Sequence, residues 1–72
     1  MFHFNYETKN NTIEFPCYVR VEKGIDIPLP TDRILIANKV KLSDGKNYIY
    51  ISEYKAWYDL SFFIIYLNIK PN

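Results

Sequence analysis

The chain is poor in the residue types that build catalytic and metal sites. It contains one cysteine, Cys17, one histidine, His3, and two glycines. A single cysteine excludes an intrachain disulfide, and a cysteine-based metal site would need other ligand types. The alternation of apolar and polar residues around His3 and Cys17 predicts a solvent-facing strand position for His3 and a core position for Cys17. Gly24 and Gly45 are both predicted turn residues, which leaves no phosphate-cradling loop. We therefore expect no enzyme, no metal and no cofactor.

Strong net charge and long hydrophobic runs are also missing. The formal net charge of +1 gives no general attraction to nucleic acid or to an anionic membrane. The densest apolar run, residues 60–69, is too short for a membrane-spanning helix, which needs about 20 apolar residues. The N-terminus has no basic segment followed by an apolar one, so no signal peptide is predicted. These features predict a cytoplasmic protein that binds no membrane.

Aromatic residues are abundant instead. They make up 18% of the 72 residues, and each buries about 150–250 Å² when it enters a core. That compensates for a length near the lower limit for a single domain, which we place over residues 1–72. Asn, Ile, Lys, Tyr and Phe supply half of the chain, and all five have AT-rich codons. This bias indicates an AT-rich genome, such as that of a low-GC bacterium or a virus.

The dipeptide Asp44-Gly45 is the clearest structural signal, because a two-residue type I′ turn needs positive φ at both central positions. It predicts a hairpin with strands at 33–42 and 47–54. In this pairing Asn38 lies opposite Ile51. The predicted core face is apolar and consists of Ile34, Ile36, Val40, Leu42, Ile49 and Ile51. The opposite face collects Lys39, Lys41, Tyr48, Tyr50 and Tyr54.

Two further hairpins are predicted upstream. A turn at Asn10-Asn11 sets Tyr6 opposite Phe15, with a longer loop as the alternative. A loop over residues 22–24 ends in a glycine, which suits the left-handed position of a three-residue hairpin loop. The strand pairs that follow from the second loop are Val21 with Ile25, Val19 with Ile27, and Cys17 with Leu29. Prolines 28 and 30 then mark its second strand as an edge strand.

Residues 60–69 are apolar on both faces of an extended strand, which favours a buried strand or one that another chain covers. The alternative is a helix over about 53–67, capped by Ser52, since aromatic residues recur there at helical spacing. The β-branched and aromatic residues of 62–66 favour the strand. The chain is therefore predicted to be all-β, a five- to six-stranded antiparallel meander that forms a small barrel or sandwich. An α+β fold with that C-terminal helix is the alternative.

The polar face of the central hairpin is the candidate binding site. Tyrosine and tryptophan are frequent in binding hot spots, and lysines attract phosphate or acidic groups. The predicted partner-binding residues are Lys39, Lys41, Tyr48, Tyr50, Tyr54, Trp57 and Tyr58. A solvated face on which lysine stems lie over tyrosine rings is the alternative.

Two functions fit this face. The first is a non-catalytic module that binds a host protein, such as a phage- or virus-encoded inhibitor of a host enzyme or defence system. The second is a small barrel that binds single-stranded nucleic acid, against which the near-neutral charge counts.

The last strand also predicts self-association. A final strand that is apolar on both faces and free of proline is a liability at a sheet edge unless something covers it. It can close a barrel by pairing with the N-terminal strand around residues 2–6, or pair with a second copy across a two-fold axis. We expect a homodimer that uses Phe62, Ile64 and Tyr66.

Overall fold

The computed structural model describes residues 3–71 and confirms the all-β class. The strands are β1 (Phe4–Glu7), β2 (Thr12–Phe15), β3 (Cys17–Val21), β4 (Leu35–Ser43), β5 (Lys46–Ile51), β6 (Ala56–Asp59) and β7 (Phe63–Tyr66). A short 3-10 turn, Leu60–Phe62, separates the last two strands. β1 and β2 form a two-stranded sheet, and the other five strands form an antiparallel sheet in the order β6-β5-β4-β3-β7.

The hydrophobic core draws side chains from both sheets. Its fully buried members are Ile13, Phe15, Cys17, Val19, Val21, Leu35, Ala37, Ile49 and Ile51, with Leu29 and Phe63 nearly so. Burying one large apolar side chain is worth about 1.5–3 kcal/mol. No polar or charged residue within 3–71 is buried, so the core is built by apolar contact. Phe4 stacks on Phe15 at 5.2 Å between ring centroids and extends this core at the end of β1.

The position of β7 differs from the predicted meander. β3 to β6 do pair in sequence order, but β7 pairs with β3 at the opposite edge of the sheet from β6. The predicted meander, in which strands that follow each other in sequence pair with each other, is therefore wrong for the last strand. The barrel closure with residues 2–6 is not formed by the described part of that segment, because β1 pairs with β2; Phe2 lies outside the described residues.

The C-terminal segment contains strand rather than the alternative helix over 53–67. β6 runs through the middle of that range, and the Asp59 carboxylate ends it by accepting bonds from the Ser61 amide at 2.9 Å and hydroxyl at 2.8 Å. The 3-10 turn that follows is only three residues long, although it connects the two outermost strands of the sheet. The sheet must therefore curl strongly, so that its two edges approach each other at this end.

The central hairpin turns where the sequence predicts. Asp44 and Gly45 have φ of 51° and 75°, as a type I′ turn requires. Lys41 lies opposite Tyr48, and Lys39 opposite Tyr50. The predicted bounds of the two strands, 33–42 and 47–54, differ from the observed bounds by one to three residues. The largest difference is at the end of β5, because a turn over 52–55 follows Ile51.

A β-bulge at Asn38 overturns the predicted core positions of Ile34 and Ile36. Ala37, not Asn38, lies opposite Ile51, and the register shifts between Ala37 and Lys39. One extra residue reverses the inside–outside alternation along the strand. Leu35 and Ala37 consequently face the core, whereas Ile34 is exposed and Ile36 only half-buried. Leu42 is on the predicted face but 65% exposed, because it lies near the hairpin tip.

The first of the two upstream hairpins forms with the longer loop. Phe4 lies opposite Phe15 and Tyr6 opposite Ile13, so the loop has four residues, 8–11, instead of the two-residue turn. The Thr8 amide and hydroxyl both donate to the Asn11 carbonyl, at 2.7 and 3.0 Å, and close this loop.

The second predicted hairpin is wrong. Gly24 does turn the chain, with φ of 90°, but residues 25–34 form no strand. Both edges of β3 are taken by β4 and β7, so no pairing position is left. Pro28 and Pro30 also lack the N–H groups that a ladder needs. The segment instead sends Leu29 into the core, and Arg33 forms an exposed ion pair with Glu53.

Candidate functional site

The candidate site lies on the outer face, which we define as the side of the five-stranded sheet that points away from the core. β5 places Ile49 and Ile51 in the core, so Tyr48 and Tyr50, which alternate with them along the strand, point outward. Trp57 lies opposite Tyr50 on β6 and shares this face. All three aromatic side chains are only partly buried.

Five predicted residues come together there, and we call them the lysine–aromatic cluster: Lys39, Lys41, Tyr48, Tyr50 and Trp57. The Tyr50 and Trp57 rings lie 5.3 Å apart in a tilted arrangement. Lys39 Nζ is 4.8 Å from the Tyr50 centroid, and Lys41 Nζ is 4.4 Å from that of Trp57 and 5.9 Å from that of Tyr48. At exposed sites each such cation–π contact contributes about 0.5–1 kcal/mol. The lysines are thus held over the rings.

Two of the predicted partner-binding residues lie outside this cluster. Tyr58 is opposite Ile49, packs against the core and contacts the Phe63 ring edge-on at 6.4 Å. Its side chain points to the inner face, because it follows the outward-pointing Trp57 directly and successive residues of a strand point to opposite faces. Tyr54 is in the turn between β5 and β6, next to the Glu53 that pairs with Arg33.

The predicted self-association residues also separate. Phe62 belongs to the 3-10 turn and packs against the core. Ile64 and Tyr66 lie on β7 opposite Arg20 and Tyr18, and thus on the outer face. Ile64 is 37% exposed and Tyr66 is half-buried.

The outer face extends beyond the predicted residues. Tyr18 on β3 lies between Ile36 on one side and Tyr66 on the other, and all three are half-buried. Alternation along 17–21 already separates Tyr18 and Arg20 from the core residues. What the sequence did not show was the adjacency of β3 and β7, and the bulge that turns Ile36 outward.

The one histidine and the one cysteine are poorly placed for catalysis. His3 is exposed, with Nδ1 4.0 Å from a Glu14 carboxylate oxygen. Cys17 is 1% exposed, and burial raises the pKa of its thiol to about 11. A nucleophilic cysteine needs the opposite shift, because the thiolate is the reactive form. Within residues 3–71 no group of three or more His, Cys, Asp or Glu side chains is arranged to hold a metal ion.

Comparison with known proteins adds no relative. The chain matches no family model, no curated protein and no solved structure. In the described part of the chain, no helix has the length and hydrophobicity needed to cross a membrane.

Proposed function

We propose that the protein is a non-catalytic binding module that docks a partner protein on the outer face, centred on the lysine–aromatic cluster. The observation that carries the proposal is the packing of Tyr50 against Trp57, with both rings partly exposed on the outer face beside two lysines. Tryptophan and tyrosine dominate the energetics of protein interfaces because they bury large area at low entropic cost.

The charges on the face define the chemistry of the partner. Lys39 and Lys41 lie over the rings, and Arg20 adds a third cation on β3. The carboxylate at this edge, Asp59, is engaged by the Ser61 amide and hydroxyl. A complementary partner therefore presents an apolar or aromatic centre with acidic side chains around it.

A protein partner fits the ring geometry better than single-stranded nucleic acid does. Base stacking needs an open ring face, and the ammonium groups of Lys39 and Lys41 occupy positions over the Tyr50 and Trp57 rings. The net charge of +1 also offers little phosphate neutralisation. Titration with a labelled oligonucleotide at low salt tests this alternative; binding that weakens in the Lys39→Ala, Lys41→Ala double variant would favour it over a protein partner.

Inhibition of a host enzyme or defence system by occlusion is the form of binding that we propose for a module of this size. The small domain, the AT-rich codon bias and the aromatic outer face support it. Affinity capture from the natural host, followed by an activity assay of the captured protein, tests it. We expect the captured protein to lose its activity when the module is added at an equimolar concentration.

The structure supplies a matched pair of variants for this capture. Trp57 and Tyr54 are each 37% exposed aromatic residues, separated by only three positions, but only Trp57 belongs to the cluster. Trp57→Ala should strongly reduce capture, while Tyr54→Ala should leave it intact. Equal capture by both variants would place the binding site elsewhere.

A further inference from the structure

The outer edge of β7 is a second surface that residues 3–71 leave open. β7 is the outermost strand of the five-stranded sheet, and within those residues it pairs with β3 alone. Lys70 comes four residues after Tyr66, and Glu14 comes four residues before Tyr18, the β3 partner of Tyr66. Lys70 Nζ lies 3.4 Å from the Glu14 carboxylate. The described C-terminal segment therefore reaches the Glu14 side chain on β2, beyond the end of the β3–β7 ladder.

Alternation of the ladder shows which backbone groups face outward. The Glu22 amide donates to the Phe62 carbonyl at 2.8 Å, so position 62 is hydrogen-bonded to β3, and so are 64 and 66. The groups of Phe63 and Ile65 then point to the outer edge. The Phe63 amide is already used, because it donates to the Leu60 carbonyl. Among the described residues this leaves the Phe63 carbonyl, both groups of Ile65, and the amide of Leu67. Leu67 follows β7 in a bend, but its amide points away from β3 because the Tyr66 carbonyl of the same planar peptide group points towards β3.

These open groups select one register for an added strand. If Ile65 lies opposite Ile65 of a second copy, the two residues exchange both of their bonds. The Leu67 amide of each copy then meets the Phe63 carbonyl of the other. A register shifted one residue towards the N-terminus needs the occupied Phe63 amide. A register shifted one residue the other way needs the Leu67 carbonyl, which lies past the end of β7 in a bend. The set of free groups is thus self-complementary under a two-fold axis, as an isologous interface requires.

The side chains along this edge suit a second copy. Ile64, Leu67 and Ile69 are 37%, 42% and 57% exposed, and no charged residue occurs in 60–69. Two copies can therefore approach without like-charge repulsion. A groove of about 360 Å³ is lined by residues 65–69, and it offers space for the apolar side chains of the other copy.

We propose that the protein forms a two-fold symmetric homodimer by antiparallel pairing of β7 with β7 of a second copy, centred on Ile65. The two five-stranded sheets become one ten-stranded sheet, and the apolar edge is removed from water. On the outer face each Ile64 packs against Tyr66 of the other copy. The lysine–aromatic cluster lies on β4, β5 and β6 and includes no residue of β7, so the dimer displays two copies of it.

Sedimentation equilibrium from low to high micromolar protein tests the association. We expect a monomer–dimer equilibrium that Ile64→Lys abolishes while the circular dichroism spectrum remains native. Leu42→Lys is the matched control, because it replaces another exposed apolar side chain far from β7 and should still dimerise. A wild-type chain that stays monomeric, or that forms higher polymers as head-to-tail pairing would, overturns the proposal.

Oxidative cross-linking tests the register independently of that variant. Residues facing each other in a non-hydrogen-bonded pair have Cα atoms about 4.5 Å apart, within disulfide range. A mixture of the Ile64→Cys and Tyr66→Cys variants should form a disulfide dimer, while either variant alone should form little. A dimer formed equally well by Ile64→Cys alone overturns the register. Cys17 does not interfere, because it is buried.

Discussion

Deletion of Asn38 should leave the fold intact, although the residue lies in the middle of a central strand. Asn38 is the extra residue of the bulge, since Ala37 pairs with Ile51 and Lys39 pairs with Tyr50. Removing it joins Ala37 to Lys39 and makes the ladder regular. No side chain changes faces.

The expected change in stability follows from two opposing effects. The Asn38 side-chain oxygen is buried without a hydrogen-bond partner in the described structure, and an unsatisfied group of this kind costs about 1–3 kcal/mol. Losing the bulge removes that cost but also relaxes the local twist that the bulge gives the sheet. We expect the free energy of unfolding to stay within about 2 kcal/mol of the wild-type value, as for most single mutations.

Deletion of Tyr50 is the control, because it removes one residue from the neighbouring strand where there is no bulge. Ile49 and Ile51 become adjacent, so one of these fully buried side chains must face outward. The loss of its burial and the cavity left behind cost about 2–5 kcal/mol, against a total of about 4–11 kcal/mol for a domain of this length. The Tyr50→Ala variant measures the part of this cost that is due to the lost ring alone. Urea unfolding gives the free energy of unfolding of the Asn38 deletion, the Tyr50 deletion and Tyr50→Ala. If the two deletions lower that free energy equally, the bulge assignment is wrong.

Two other predictions concern single positions. A Cβ on Gly45 meets no atom within 4 Å, so Gly45→Val should cost about 1–2 kcal/mol through its positive φ alone, whereas Gly45→Asn should cost much less because asparagine tolerates this conformation; equal urea midpoints would refute the turn. The Cys17 thiol, whose pKa is raised to about 11 by burial, keeps its proton in the folded chain above the pH at which the unfolded thiol loses it. Its contribution to stability is therefore complete below about pH 9 and lost as the pH rises towards 11, and the fall should be shallower in Cys17→Ala; identical pH profiles would contradict it.

The central hairpin could be predicted because its information is local. Asp44-Gly45 specifies a turn, and the turn fixes the register of the strands beside it. Lys39 and Lys41 consequently meet the predicted tyrosines. Trp57 lies beside these residues because β6 follows β5 after a short turn and pairs with it.

The rest depended on contacts between distant segments. Nothing local distinguishes Asn38 as an extra residue, so the alternation of Ile34 and Ile36 pointed to the wrong face. The order of strands was missed for a similar reason, since residues 25–30 carry a plausible strand pattern but lose the competition for β3 to β7. Tyr58 packs inward because it lies opposite the buried Ile49, and Phe62 packs against the core because a 3-10 turn interrupts the predicted strand; neither feature is visible in the local sequence pattern.

The most direct test of the proposed function is the affinity of the captured host partner for three purified forms of the protein, measured by isothermal titration calorimetry. If the lysine–aromatic cluster is the centre of the interface, Trp57→Ala should weaken binding by about 30-fold or more, as loss of a hot-spot residue does. Tyr54→Ala, equally exposed in the wild-type chain, should bind within about twofold of wild type. A Trp57→Ala variant that binds as tightly as the wild-type protein would contradict the account.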